Sequence, residues 1–156
     1  MKQFVTEMAV NLEPLFLEKG IELQVEIDYP GTLYCDRTRL RQIFQNLMSN
    51  AVKFTETGFV RIAATEIRER SGVFIQISDS GIGISESDLP HIFDPFWQGP
   101  SESKRDLKGS GLGLAIVKKS VEILKGEISV SSHLGQGTTF TLFLPRKYPG
   151  GQLKIA

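Results

Sequence analysis

The sequence is short of the features that announce a function most directly. It has one cysteine, Cys35, which excludes an internal disulfide framework and fits a reducing compartment. Its two histidines, His91 and His133, stand alone, so no transition-metal site of recognisable spacing can be drawn. No apolar run approaches the length of a membrane span, and the N-terminus lacks a basic-then-apolar signal. Neither charge is in surplus. Lys+Arg and Asp+Glu are 18 each, so nothing advertises nucleic acid or an anionic membrane as a partner. There is no serine nucleophile elbow, no credible triad and no internal repeat. These absences predict a soluble, cytoplasmic domain. At 156 residues and 40% apolar it is long enough to bury a real core as one domain.

What is present is strong periodicity. Phe4, Val5, Met8, Leu12, Leu15 and Phe16 predict an amphipathic helix over residues 2–18, ended by Lys19-Gly20 and kinked or frayed in its last turn by Pro14. Ile21, Leu23, Val25 and Ile27 alternate as a half-buried strand, and residues 32–35 are a short extended piece. Asp36 then caps a helix over residues 37–54. Its apolar face is Leu40, Ile43, Phe44, Leu47, Met48, Ala51 and Phe54, with Arg39, Gln42, Asn46, Asn50 and Lys53 on a stripe beside it. Two strands over 59–68 and 73–78 form a hairpin through residues 69–72. Residues 85–88 open a helical turn. Residues 98–110 lack periodicity and predict a long mobile loop. A helix beginning near Leu112 ends at Lys125-Gly126, two strands follow over 127–132 and 138–144, and residues 146–156 predict a loosely held tail. Helices fall between strand pairs while consecutive strands share tight turns, which argues for a mixed sheet covered on one face by helices.

Three stretches suggest chemistry. On the 37–54 helix, two amides and an ammonium sit on the rim of the apolar face. Amide oxygens suit a hard cation and lysine suits phosphate, so the stripe admits a magnesium–nucleotide site; an ordinary wet helix flank is the blander reading and, for this stretch alone, the favoured one. Gly109-Ser110-Gly111-Leu112-Gly113-Leu114 opens a helix. Each glycine there costs roughly 0.5–1 kcal/mol relative to alanine, which suggests a ligand close to the backbone at a helix N-terminus, or a hinge for the preceding loop. It is neither a Walker A loop, lacking the following Lys-Ser/Thr, nor the dinucleotide fingerprint, whose last glycine is replaced by Leu114. Asp79-Ser80-Gly81-Ile82-Gly83-Ile84 leaves a strand end with a carboxylate able to accept an adenine amino proton, although such turns are common. Ile92-Phe93-Asp94-Pro95-Phe96-Trp97 either anchors the loop or plugs the core. Both histidines read as structural or surface residues.

Taken in order, these stretches resemble the boxes of the catalytic and ATP-binding domain of sensor histidine kinases, in the GHKL (Bergerat-fold) superfamily. Residues 46–55 resemble the N box, 79–84 the G1 box, 92–96 the F box, 109–114 the G2 box and 135–140 the last glycine box. The match spans residues 4–145, and five boxes in order are far more specific than any one. The resemblance implies an α/β two-layer sandwich, with a mixed five-stranded sheet and three main helices on one face. It implies that ATP and Mg2+ bind: Asn50 on the metal, Asn46 near metal or phosphate, Lys53 on the phosphates and Phe54 against base or ribose. Asp79 would take the adenine amino group, with Gly81, Gly83, Ile84 and Thr138 around the base. The backbone at Gly109, Gly111, Leu112, Gly113 and Leu114 would hold the phosphates, and Lys104, Arg105 and Lys108 would be lid cations.

A histidine kinase also needs an acceptor histidine on a separate dimeric helical domain, followed by transfer to a response regulator. His91 precedes Ile92 and His133 lies in a strand-to-strand turn, so neither fits. The expectation is a fragment of a larger, homodimeric sensor, with residues 2–18 beginning near the acceptor helices. Two alternatives stand beside it: a degenerate module that binds ATP without transferring phosphate, or a GHKL ATPase or serine kinase. Members of the last group generally carry a glutamate one turn before the metal-binding asparagine. Here that position is Asn46, a poor base.

Overall fold

The computed structural model describes residues 1–67, 69–99, 110–147 and 154–155. Helix α1 (Lys2–Lys19) buries Phe4, Val5, Met8 and Phe16 and closes at Gly20, whose left-handed φ of 64° lets its N–H return to the last carbonyls. Pro14 neither ends nor frays it, because burial of Phe16 holds the final turn. The carbonyl that the proline leaves without a helical donor belongs to exposed Val10, where water can serve it. Strand β1 (Ile21–Asp28) and the short β2 (Leu33–Tyr34) lead to α2 (Arg37–Phe54). Then come the hairpin β3 (Gly58–Ile67) and β4 (Gly72–Asp79), helix α3 (Gly113–Ile123), the hairpin β5 (Glu127–His133) and β6 (Gly137–Pro145), and β7 (Lys154–Ile155).

The main sheet runs β1-β3-β4-β6-β5. β1 and β3 are parallel, as a crossover through α2 requires, and the other pairs are antiparallel. Alternation decides which face is dry. Val60, Ile62 and Ala64, then Val73, Ile75 and Ile77, then Phe140, Leu142 and Leu144 are buried side by side across three central strands. Each branched side chain in that row contributes about 1.5–3 kcal/mol by leaving water. The three helices cover this face: α1 packs on β1, α2 on β3 and β4, and α3 on β5. The opposite face mixes polar residues with Phe59, Ala63 and Ile67 of β3 and with the pair Phe74 and Phe143, whose rings lie 5.4 Å apart with the Arg70 guanidinium over Phe143. The expected mixed sheet with three helices is therefore what the chain forms.

The tail differs from expectation. Lys154–Ile155 pairs antiparallel with Leu33–Tyr34, Tyr34 N–H donates to the Arg146 carbonyl at 2.9 Å, and Arg146 N–H donates to Ser71. These backbone bonds tie segments that carry no periodic signal, so the sequence does not show them. Among the described residues no helix is long and apolar enough to cross a membrane.

Candidate functional site

Helix α2 is fixed at both ends before it carries anything. At its start the Asp36 carboxylate accepts from the N–H groups of Thr38 (2.9 Å) and Arg39 (3.1 Å), a cap worth about 1 kcal/mol. At its end the Lys19 ammonium, reaching from α1, donates to the carbonyls of Val52 (2.6 Å), Lys53 (3.3 Å) and Thr55 (3.1 Å). A cation there satisfies carbonyls that have no helical partner and complements the helix dipole. Between these anchors Asn46, Asn50 and Lys53 lie half-buried at successive turns. The Asn46 amide donates through Nδ2 to the Gln42 carbonyl at 2.9 Å, which leaves Oδ1 pointing away from its own helix. That oxygen faces Gly113, where a β-carbon would stand 3.0 Å from it. Lys53 Nζ sits 5.1 Å from the centre of the Phe54 ring, itself 36% exposed.

Helix α3 starts at that same point. Its N-cap, Leu112, supplies no side-chain bond to the first turn. The backbone just before it turns at Gly111, with φ 69°, and the Gly111 carbonyl accepts from Phe96 N–H at 2.9 Å. The two ends of the polar loop are thus fastened to each other. Of the F-box aromatics, Phe93 packs on Phe140 (6.4 Å, edge-on), Trp97 is partly buried, and Phe96 is 73% exposed. The box therefore plugs the core through Phe93 and presents Phe96 outward. Lys104, Arg105, Lys108 and Gly109 lie outside the described residues.

The third part is built at the end of the sheet. Asp79 closes β4 opposite Thr138 on β6. Burial pushes the Asp79 carboxyl above the usual carboxylate range, opposed by N–H donors from Gly81 (2.9 Å to Oδ1) and Thr138. Ile84 N–H donates to Ser132 Oγ at 2.8 Å, and Ser132 also bonds Gly137 and Thr138. The glycines here face protein. A β-carbon at Gly81 would stand 2.3 Å from the Phe54 carbonyl oxygen, and at Gly83 2.0 Å from that of His133. At Gly137 it would stand 1.9 Å from the Asp79 carbonyl, and at Gly111 2.6 Å from Phe96. The expectation that ligand approach explains the glycines is thus incomplete, because close packing of the chain on itself already demands them.

The structure brings Asn46 to Gly113, Phe54 to Gly81, and Asp79, Ile84 and Thr138 to a common end of the sheet. Sequence reasoning missed Ser132 and Lys19. Ser132 had a signal, being a small polar residue on an inward position of a strand, opposite Thr138 in the hairpin register. Among the described residues no three His, Cys, Asp or Glu side chains cluster as a metal site. A divalent cation here would rest on amide oxygens, with remaining ligands from phosphate and water, a set that suits magnesium. The Oδ1 of Asn46, freed by the internal bond of its nitrogen, fits that role.

Comparison with known proteins defines the class. The family described as histidine kinase-, DNA gyrase B- and HSP90-like ATPase matches residues 35–148, most of the chain, and the chain belongs to that family. Within it the relatives are sensor kinases. Over 138 residues the chain is 48% identical to the autoinducer 2 sensor kinase/phosphatase LuxQ of Vibrio vulnificus, covering 85% of the chain and 16% of that protein. It is 36% identical to the sensor histidine kinase RcsC of Escherichia coli over 146 residues, covering 92% of the chain and 15% of RcsC. Among solved structures, full-length ShkA in complex with AMPPNP superposes with a TM-score of 0.81 at 34% identity, covering 97% of the chain and 31% of ShkA. The chain thus spans about one sixth of the length of these curated relatives.

Proposed function

We propose that this chain binds Mg-ATP and donates its γ-phosphate to a histidine on a separate phosphoacceptor domain of a homodimeric sensor kinase. Onward transfer to a response-regulator aspartate would follow, with the catalytic step in the cytoplasm. The observation that carries the reading is the meeting of the Asn46 amide oxygen with the start of α3 at Gly113. An amide oxygen able to bind a cation, next to a helix N-terminus able to bind phosphate, supports the reading, because a magnesium-bound triphosphate needs both together.

Roles follow from position. Asn46 and Asn50 hold the cation through their amide oxygens, and Lys53 neutralises phosphate charge. Backbone N–H groups from Gly111 to Leu114 bind phosphate oxygens at the positive end of α3. Asp79 accepts the adenine amino group, Gly81, Gly83 and Ile84 form the wall of the base pocket, and Phe54 lies along base or ribose. Lys104, Arg105, Lys108 and Gly109 belong to a lid over the phosphates. Bound magnesium supplies charge neutralisation between the phosphates. The chain itself positions the γ-phosphate and does little covalent chemistry. An amide at Asn46 cannot take a proton from water, which favours waiting for an acceptor over hydrolysing ATP.

The experiment supplies Mg-ATP and an isolated acceptor domain from a sensor kinase and measures phosphohistidine. Transfer is expected from the unsubstituted chain and a loss of at least about a hundredfold in Asn50→Ala, since a metal ligand acting in the transition state is removed. Magnesium-independent nucleotide binding, unchanged by that substitution, would refute the metal role. Fast ATP hydrolysis by the chain alone would favour an ATPase instead.

A further inference from the structure

Ser132 stands on β5 opposite Thr138 on β6, 5% exposed, and has no place among the motif residues. Its hydroxyl has three neighbours. Ile84 N–H reaches it at 2.8 Å, the Gly137 carbonyl lies at 2.8 Å, and Thr138 Oγ1 lies at 2.9 Å. Chemistry fixes the protons in this group. An amide N–H only donates and a carbonyl only accepts. The single Ser132 proton therefore goes to Gly137, and the contact with Thr138 is closed by the Thr138 proton.

Thr138 Oγ1 then has only lone pairs left to offer. Thr138 is the register partner of Asp79, and opposed residues on neighbouring strands present their side chains to the same face. The ionised Asp79 carboxylate is also acceptor-only. A threonine whose hydroxyl could turn would suit either a donor or an acceptor on a ligand. One whose proton is committed cannot.

We propose that Ser132 is a specificity-determining residue, which by taking the Thr138 proton makes the ligand-facing edge of this pocket acceptor-only and so selects a 6-aminopurine over a 6-oxopurine. This rests on the proposed ATP site and deepens it. The 6-amino group presents two N–H donors to the two acceptors. A 6-oxo group puts its own lone pairs against them; the neighbouring N1–H can meet one acceptor only if the base shifts out of place, so the mismatch discriminates against the 6-oxopurine. Ser132 touches no ligand in this scheme; it acts through Thr138.

The test compares dissociation constants for ATP and ITP, which differ at that edge of the base, in the presence of magnesium. The variants are Ser132→Ala, Thr138→Val and the double substitution. Ser132→Ala frees the Thr138 proton, so the preference for ATP over ITP should fall by about tenfold, the scale of one mismatched polar contact. Thr138→Val should lower the preference as well, and adding Ser132→Ala to it should leave the ratio unchanged. If Ser132→Ala weakens both nucleotides equally, Ser132 merely braces the Ile84 loop and the assignment is wrong. If that variant does not fold by circular dichroism, Ser132→Cys, which keeps the volume but is a weak acceptor for the Thr138 proton, replaces it: a lowered ratio supports the assignment and an unchanged one overturns it. Failure of the unsubstituted chain to bind ATP would remove the proposed function itself. ATP binding with unchanged ratios would remove only this refinement.

Discussion

Asp79 is held in a compromise between folding and binding. Burial raises its pKa, and the two backbone N–H donors only partly oppose that. The folded chain therefore holds a proton on this carboxyl more tightly than the unfolded chain does. Its contribution to stability is fully present below the unfolded carboxyl pKa and is lost as pH rises through the raised folded value, so the carboxylate is a cost at neutral pH. Asp79→Asn keeps an oxygen for Gly81 N–H while removing the charge. Thermal unfolding of the nucleotide-free variant at pH 7 should have a higher midpoint than the parent, with the gain shrinking as pH falls below the carboxyl range. Its affinity for ATP should drop at least about tenfold, because a charged acceptor is lost. A lower midpoint at neutral pH would show that the carboxylate is a folding asset.

At the scale of the element, α2 depends on another helix for its working end. The three carbonyl bonds from Lys19 hold the turn that carries Asn50, Lys53 and Phe54. Lys19→Met keeps the stem and removes the donors. It should cost roughly 1 kcal/mol in denaturant unfolding and weaken ATP binding several-fold, with near-normal affinity restored by Lys19→Arg. Equal affinity in all three chains would mean that the last turn needs no outside support. The contrast with the rest of α2 shows what sequence can reveal. The cap at Asp36 and six residues of the buried face, Leu40 to Ala51, are local patterns with fixed spacing and were legible; Phe54, expected on that face, is 36% exposed where the helix ends, and Val52 is buried instead. The Lys19 clamp joins residues more than thirty apart through one side chain, and nothing periodic marks it. The glycines were legible as constraints, but not what they constrain, since a ligand and a neighbouring carbonyl demand the same missing β-carbon. The β2–β7 pairing was invisible for a simpler reason: two residues are too short for alternation to register.

Over the whole molecule, Cys35 offers a built-in reporter of opening. It is buried beside the start of α2, and burial, helped by the Asp36 charge, pushes its thiol up to about 12. Only the thiolate is reactive, so the folded chain should resist iodoacetamide at pH 8 and react as it opens. Saturation with Mg-ATP at about a hundred times its dissociation constant should then slow labelling by about a hundredfold, provided opening abolishes the site. A labelling rate indifferent to nucleotide would instead assign the opening to local separation of β2 from β7.

The glycine contacts bear on how such chains age in evolution. At positions 81, 83, 111 and 137 a β-carbon would collide with the protein's own backbone at 1.9–2.6 Å, whether or not nucleotide is bound. A descendant that had lost its ligand would still be held to glycine at all four positions by the need to fold. Asn46, Asn50, Lys53 and Asp79 enjoy no such protection; the last of them is even favoured to change. The glycine boxes therefore record ancestry, and a lineage drifting into inactivity should shed its amides and its carboxylate first.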